Sequence, residues 1–569
     1  MHRGGNLFSL KSSRRFCIQI PMKLNILLLS WAILALASGV SAGAEASEVP
    51  DTSALRVVPL PNDVALSDGF FDAGHALRVS APAEFDGAVG VIARQFEKSL
   101  PNFSVAKVAH GANIVVEKDA TLSREEYRLN VGRGGISIAA ASDVGVLYAF
   151  QTLRQAARVS GGSYKIPLCK IADKPAFSWR GCMIDPARHF LGKRFILDTI
   201  DRLLELKMNV LHLHLTDHQG WRLEIKKYPK LIEVGAWYHE TARGGFLTQD
   251  DAREIVEYAK ARGITVVPEI EVLSHATAAA KEYPFLGDGY GINVYDPKVR
   301  EFFKDVLREV MDIFPSEVIH LAGDEVEYSV WRKNPEIKKY MEANGLKTLL
   351  DVHLFYMNEM GAFLRQNGRR MIAWDEAFGK GAFEVKKGLK AESAAASKDA
   401  IMHFWTGNIG AMVEAANDGY KVVNANRRNT YFNYPHSPSC RYRIIPIPEK
   451  PQLDDTDRRY YVYTSKNLLP LSKVYNFNPI PDGVGEAARK NIIGTSCQVW
   501  FKPIASVPFF EYMAFPRMAA LAEVAWTNAE NKNFDSFVKR LNSLQLIWDY
   551  EGVNHNYEAV PKTEFYPEI

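Results

Sequence analysis

The 569-residue chain is poor in cysteine, with five, and none stands at the short spacings that tetrahedral metal sites use. Cys17 falls in a leader described below. For Cys169, Cys182, Cys440 and Cys497, buried free thiols are favoured over disulfides. Neither sign of charge is in excess, since 69 Lys and Arg stand against 66 Asp and Glu. That balance gives no support to a nucleic-acid partner. No glycine-rich phosphate turn opens a helix, which argues against a doubly wound nucleotide-binding sheet. The apolar run from Ile26 to Leu36 is too short for a comfortable membrane span, so no transmembrane anchor is expected.

What is present is a large apolar fraction, 47%, enough for a sizeable core. The length suits two or three domains. Met22-Lys23-Leu24-Asn25-Ile26 through Ala42 has a charged start, an apolar core and a small-residue exit at Val40-Ser41-Ala42. These are the marks of a secretory signal. Either Met1 or Met22 could be the true start, and an exported, periplasmic or extracellular bacterial protein is expected. Four segments follow: a leader over 1–46, an α+β domain over 47–172, a larger domain over 173–550, and a tail over 551–569.

In the first domain, Glu126 to Val131 alternates polar and apolar, as a strand does. Gly135 to Ile138 reads as its hairpin partner, and Val144 to Val159 as a helix. From Phe177 the rhythm changes to strands alternating with helices. Eight strands are expected, at Trp179–Ile184, Asn209–Leu215, Ile264–Ile270, Val318–Ala322, Arg370–Trp374, Ala400–Trp405, Tyr420–Asn424 and Ile492–Trp500. Helices are expected at 193–207, 250–262, 349–366, 509–526 and 534–550. Repeated βα units of this length favour an α/β fold of the (β/α)8 TIM-barrel kind. Residues 435–480, rich in Pro, Tyr and Arg, read as a long loop over one barrel face.

In such a barrel, chemistry sits where the strands end. The ends here carry Asp185 and Arg188, then His212, His214 and Asp217, then Glu269, Glu271 and His275, then Asp324-Glu325. The later ends carry Trp374, Trp405, Tyr431 with Asn433, and Trp500 with Lys502. Two adjacent carboxylates share a pocket only where a strand is finishing and turning, and Ala322-Gly323 permits that turn. Aromatic faces around carboxylates describe a sugar pocket.

These motifs resemble those of glycoside hydrolase family 20, the β-N-acetylhexosaminidases. The carrying residues are Arg188-His189, Asn209 through Asp217, Pro268-Glu269-Ile270, His320 through Glu325, and Phe515 through Glu523. The likeness spans about 50 to 545. It implies an exo-acting, retaining enzyme in which the substrate's own acetamide oxygen attacks the anomeric carbon, an exception to the two-carboxylate scheme. Glu325 would be the general acid and base, with a raised pKa; Asp324 would orient the acetamide N–H, and Tyr431 would bond its oxygen. Trp374, Trp405 and Trp500 would wall the acetamide pocket. Arg188 would bind ring hydroxyls, and Asp217 with His275 would support Glu325. The implied partner is an oligosaccharide or glycoconjugate ending in N-acetylhexosamine; no metal and no cofactor is implied.

Several positions depart from that pattern. Ala322 replaces a glycine, Leu213 a Trp, His218 an Asp, Glu271 an Asp, and Leu273-Ser274 a Pro-Gly pair. Asn433 and Lys502 stand where Asp and Glu are usual, a local charge change of about +3, which favours an anionic substituent such as 6-O-sulfate. Two rivals stay open. His212, His214, His275 and Asp324 could belong to a metal hydrolase, or the chain could be a non-catalytic sugar-binding protein on the same scaffold.

Overall fold

The computed structural model describes residues 55–237, 243–379, 390–406, 408–437, 467–501 and 504–560. The leader, Cys440, Lys502 and residues 438–466 of the expected loop lie outside the described residues.

Tyr127–Gly132 buries Tyr127, Leu129 and Val131 and exposes the residues between them, so one face of its sheet meets the core. Eight strands make that sheet, ordered from Asp63–Gly74 through Ser163–Asp173, Tyr127–Gly132, Gly135–Ala140, Ile114–Lys118 and Ala76–Ser80 to Ser104–Lys107, with Arg158–Ser160 on the side. Helices Asp86–Ser99 and Asp143–Ala156 pack on it. The second helix ends earlier than its apolar spacing suggests. Gly161 and Gly162 both take positive φ (62° and 77°) and turn Arg158–Ser160 back onto Ser163–Asp173. That left-handed pair is what a tight hairpin turn demands.

Trp179–Ile184 and Val210–His214 are buried at every position, as strands covered on both faces must be. They are barrel strands one and two. Strands three to eight are Thr265–Glu269, Val318–His320, Arg370–Trp374, Ile401–Phe404, Lys421–Asn424 and Ile492–Val499, and the eight close into a parallel barrel. Closure comes where strand eight pairs with strand one, from Gly494 opposite Trp179 to Val499 opposite Ile184. A Cβ at Gly494 would lie 1.8 Å from the Trp179 carbonyl oxygen, so only glycine fits the seam. Helices Gln249–Lys260 and Leu349–Gln366 each start at a reciprocal cap, Thr248 with Asp251 and Thr348 with Asp351. Such caps satisfy N–H groups that the first turn leaves open.

Two expectations need revision. Residues 507–526 form two helices, Val507–Ala514 and Arg517–Trp526, because Phe515, preceding Pro516, is extended, the conformation proline imposes on its neighbour. The stretch 435–480 is not one loop, since Leu471–Tyr475 is helical and packs on Arg517–Trp526, restoring the helix due between strands seven and eight. Beyond residue 550 the chain is still packed, with Glu551 paired to Arg154 and Arg202, and His555 and Asn556 buried. Cys169, Cys182 and Cys497 are buried free thiols.

Buried charge joins the two domains. Glu523, fully buried, accepts from Arg540 at 2.6 and 2.7 Å, from Tyr475 at 2.9 Å and from the Leu60 N–H at 3.0 Å. Removing one partner of such a pair strands the other charge away from water. Glu523→Ala is therefore expected to lower unfolding free energy by about 3–5 kcal/mol, measured by denaturant titration, while Glu523→Gln costs less.

Candidate active site

Alternation along Val210–His214 turns His212 and His214 to the same inner face. Strand register places His214 opposite Glu269, and Glu269 opposite His320. These side chains therefore meet at one level of the barrel interior. Glu269 sits at their centre, fully buried. Its Oε2 lies 2.6 Å from His214 Nδ1 and 2.9 Å from His212 Nε2. Its Oε1 accepts from Trp374 Nε1 at 2.8 Å and lies 3.2 Å from His320 Nδ1. Burial works to raise its pKa, but the neighbouring imidazoles, His214 foremost, hold it well below the carboxylate range.

From Glu269 a row of alternating charges runs to the barrel mouth. His214 lies between two carboxylates, with Nε2 2.8 Å from Asp217 Oδ2. Burial opposes its charge, yet Glu269 and Asp217 lift its pKa well above the usual value. Asp217 also takes Arg188 Nη2 at 2.7 Å and His275 Nδ1 at 3.3 Å. Against burial, these cations keep it ionised far below the ordinary range. Asp185 accepts from Arg188 at 2.9 Å and from the Phe501 N–H at 3.0 Å, which fixes the guanidinium. It lies 4.7 Å from the Trp500 ring centre, within cation–π range.

His275 meets both adjacent carboxylates. Its Nε2 is 3.4 Å from Glu325 Oε2 and 3.8 Å from Asp324 Oδ2. Burial disfavours its charge, but Asp217 and Glu325 raise its pKa well above the usual value. This corrects the expectation for Glu325. Burial alone would raise its pKa, as the sequence suggests, but the bond to His275 and that ring's charge lower it instead. The raised carboxyls are Asp324, pushed up to about 7 by burial first and then by Glu325 and Glu269, and Glu271, pushed well up by burial and the Asp324 charge.

The turn that brings Asp324 and Glu325 together is left-handed at Ala322 (φ 54°), Gly323 (86°) and Glu325 (50°), and His275 opposite has φ 48°. Non-glycine residues there cost of order 1–3 kcal/mol each, so the surroundings must hold them. The Glu325 N–H donates to Glu376 Oε2 at 2.9 Å, the Trp374 N–H to the Ala322 carbonyl at 3.0 Å, and Ser274 Oγ to the Asp324 carbonyl. The glycine that the resemblance expects at 322 matches this backbone.

Four aromatic rings stand beside the carboxylates. Trp405 and Tyr431 are near parallel at 6.1 Å, Tyr431 lies 6.0 Å from Trp500, and Trp500 lies 6.1 Å from Trp374. Trp374 forms the floor: 1% exposed, it stacks on His403 at 4.4 Å. Asp375 receives the Trp405 N–H at 2.9 Å and the Thr406 hydroxyl at 2.5 Å, fixing Trp405. Asp324 Oδ1 is fully buried and meets no donor among the described residues. Asn433 is buried two residues past Tyr431.

The structure thus brings together Arg188, Asp217, His275, Asp324, Glu325, Trp374, Trp405, Tyr431 and Trp500. Glu269, His320, His403, Asp185 and Glu376 support them; the sequence placed Asp185 and Glu269 at strand ends and His320 in a motif but assigned none of the five a role. An acidic residue at the inner position of strand three, level with two histidines, was the available signal. Among the described residues, four groups of His, Asp and Glu bring ligand-type atoms within 4.8 Å of one another. His212 and His214, however, meet on Glu269 rather than with His275 and Asp324.

Comparison with known proteins agrees with this geometry. Residues 177–529 match the family model for the glycosyl hydrolase family 20 catalytic domain, and residues 54–174 match that for domain 2 of the same family. A beta-hexosaminidase of Porphyromonas gingivalis is 30% identical over 532 residues; the match covers 88% of this chain and 64% of that protein. The exo beta-N-acetylglucosaminidase of Vibrio harveyi, solved with N-acetylglucosamine, is 29% identical with a TM-score of 0.76, over 88% of this chain and 78% of the other. The beta-N-acetylhexosaminidase of Bacteroides fragilis is 30% identical with a TM-score of 0.74, over 88% and 96%. With both domains matched and the charged row in place at the mouth of the barrel, the chain belongs to glycosyl hydrolase family 20, the β-N-acetylhexosaminidases.

Proposed function

We propose that the protein removes a terminal β-linked N-acetylhexosamine from glycans, retaining the anomeric configuration by using the substrate's acetamide as nucleophile. The observation that carries this reading is Asp324 Oδ1, a buried acceptor with no donor among the described residues. An acetamide N–H would supply that donor. Bonded there, the acetamide would lie against Trp405, Tyr431 and Trp500, with the Tyr431 hydroxyl as donor to its oxygen. Its oxygen would attack the anomeric carbon, giving a cyclic oxazolinium as the glycosidic bond breaks. A carboxyl pushed up to about 7 is basic enough to share charge with an N–H that becomes more acidic as the ring closes.

Glu325 is the group placed to protonate the leaving oxygen, since nearly half of its side chain is exposed in the pocket. Its proton has a source 3.4 Å away on His275. Substrate that displaces water from Glu325 weakens the ionised form, and the proton passes from His275 to the carboxylate and then to the leaving group. Water, activated by the returning carboxylate, opens the oxazolinium. Arg188 serves the ring hydroxyls from its clamp on Asp185 and Asp217. The leader supports export, where such glycans are met. Asn433 and Lys502 support a preference for a 6-O-sulfated terminal sugar, because two carboxylates that would repel the sulfate are replaced by an amide and a cation.

Three outcomes are expected. Glu325→Gln lowers kcat on unactivated glycosides by about 10²–10⁴-fold, and NMR of the wild-type reaction shows the β-anomer first; equal slow turnover by wild type and variant supports the sugar-binding alternative. Second, the 6-sulfated N-acetylglucosaminide has a higher kcat/KM than the plain sugar, and Lys502→Glu reverses the order; an unchanged preference for the plain sugar contradicts the sulfate assignment. Third, Asp324 has a folded pKa about 7 against an ordinary 3.8, so its ionisation opposes folding increasingly between those values and levels off above. Asp324→Asn therefore raises the melting temperature at pH 8, and the gain fades towards pH 4 while activity is lost.

A further inference from the structure

We propose that Tyr290 and His218 form the platform that receives the leaving-group sugar, the residue on the far side of the bond being cut. The inference rests on Glu325 being the acid, because the leaving oxygen must come within hydrogen-bond reach of that carboxyl.

Tyr290 is 51% exposed. Its ring lies 4.5 Å from that of His218, which lies 4.7 Å from that of His275, and His275 contacts Glu325. Among the described residues it is the exposed large aromatic whose ring contacts lead to the catalytic carboxylates. The backbone that carries the ring is also held in place. Asp288 Oδ1 accepts the Tyr290 N–H at 2.9 Å, and the Tyr290 carbonyl accepts the Glu327 N–H at 3.0 Å, two residues past Glu325. Gly289, at φ 84°, passes so close to Thr277 that a Cβ would lie 2.3 Å from its backbone nitrogen. The loop therefore presents an aromatic face on a fixed backbone, against His218 and beside the carboxylates. The apolar face of a pyranose stacks on such a surface.

His218 gives the platform a polar end. Its Nδ1 is 2.7 Å from Thr277 Oγ1, whose hydroxyl donates to the Asp288 carbonyl at 3.3 Å. Thr277 then accepts from Nδ1–H, which leaves Nε2 as an acceptor for a sugar hydroxyl. The ring stays neutral, pushed down to about 3 by burial and by the His275 charge. A carboxylate at 218 could accept a hydroxyl but could not extend the aromatic surface.

The test compares kcat/KM for a β-linked N-acetylglucosamine disaccharide with that for methyl β-N-acetylglucosaminide, whose aglycone is too small to reach Tyr290. The ratio of the two serves as its own control for folding and for the chemistry. Tyr290→Ala is expected to lower the ratio about tenfold, and Tyr290→Phe to stay within about twofold of wild type, since the ring and not the hydroxyl does the stacking. An unchanged ratio in Tyr290→Ala, or an equal fall in Tyr290→Phe, overturns the platform. Wild-type turnover of the methyl glycoside with an unaffected ratio removes the platform alone. Failure of wild type on both substrates removes the glycosidase reading with it.

Discussion

The site depends on the burial of one carboxylate. Glu269 lies inside the barrel where an isolated charge would be strongly disfavoured, and four ring nitrogens gathered from strands two, four and five surround it. Its charge keeps His214 protonated. That cation faces Asp217, which is held ionised by Arg188 and His275, and His275 in turn fixes the protonation of Glu325. Each group is defined by the one beneath it, so the charge state at the pocket mouth is set some distance down the barrel axis. A row of this kind is costly to break at any point, because each removal leaves a buried charge unpaired.

The same region holds backbone strain at three positions. His275, Ala322 and Glu325 have left-handed φ beside Gly323, and the turn is held by the Glu325 N–H donating to Glu376 and by bonds donated from Ser274 Oγ and the Trp374 N–H. The strain does a definite job. It lets two consecutive residues deliver their carboxylates to one pocket, although a continuing strand would send them to opposite faces. Rigidity also suits the chemistry proposed, in which the nucleophile belongs to the substrate and must be aimed by fixed walls. The four rings, and the anchoring of Trp405 through Asp375, supply those walls.

Much of this was legible in the amino-acid sequence, for identifiable reasons. Parallel strands buried on both faces are short apolar runs, so all eight barrel strands stood out, and their ends carried Arg188, Asp217, His275, Asp324 and Glu325. Helix limits were less legible where turn glycines or a proline override apolar spacing, as at Gly161-Gly162 and Pro516. Glu269, His320 and His403 were harder to read because their role arises from register between strands distant in sequence. The protonation of Glu325 could not be inferred from its neighbour Asp324. It depends on His275, fifty residues away, and on what Asp217 does to that ring. Tyr290 has no sequence motif at all; only its exposure and its ring contacts mark it.

In the proposed reaction the acetamide of the substrate, aimed by Asp324 and Tyr431, is the nucleophile. Progressive fluorination of the N-acetyl methyl group weakens that oxygen as a nucleophile and changes the substrate little in size. The most direct measurement is kcat/KM for aryl glycosides bearing acetyl, fluoroacetyl, difluoroacetyl and trifluoroacetyl groups. With the acetamide as nucleophile, the logarithm of the rate falls steeply and steadily along the series. A flat dependence would contradict that role and would point to Asp324 as the nucleophile instead.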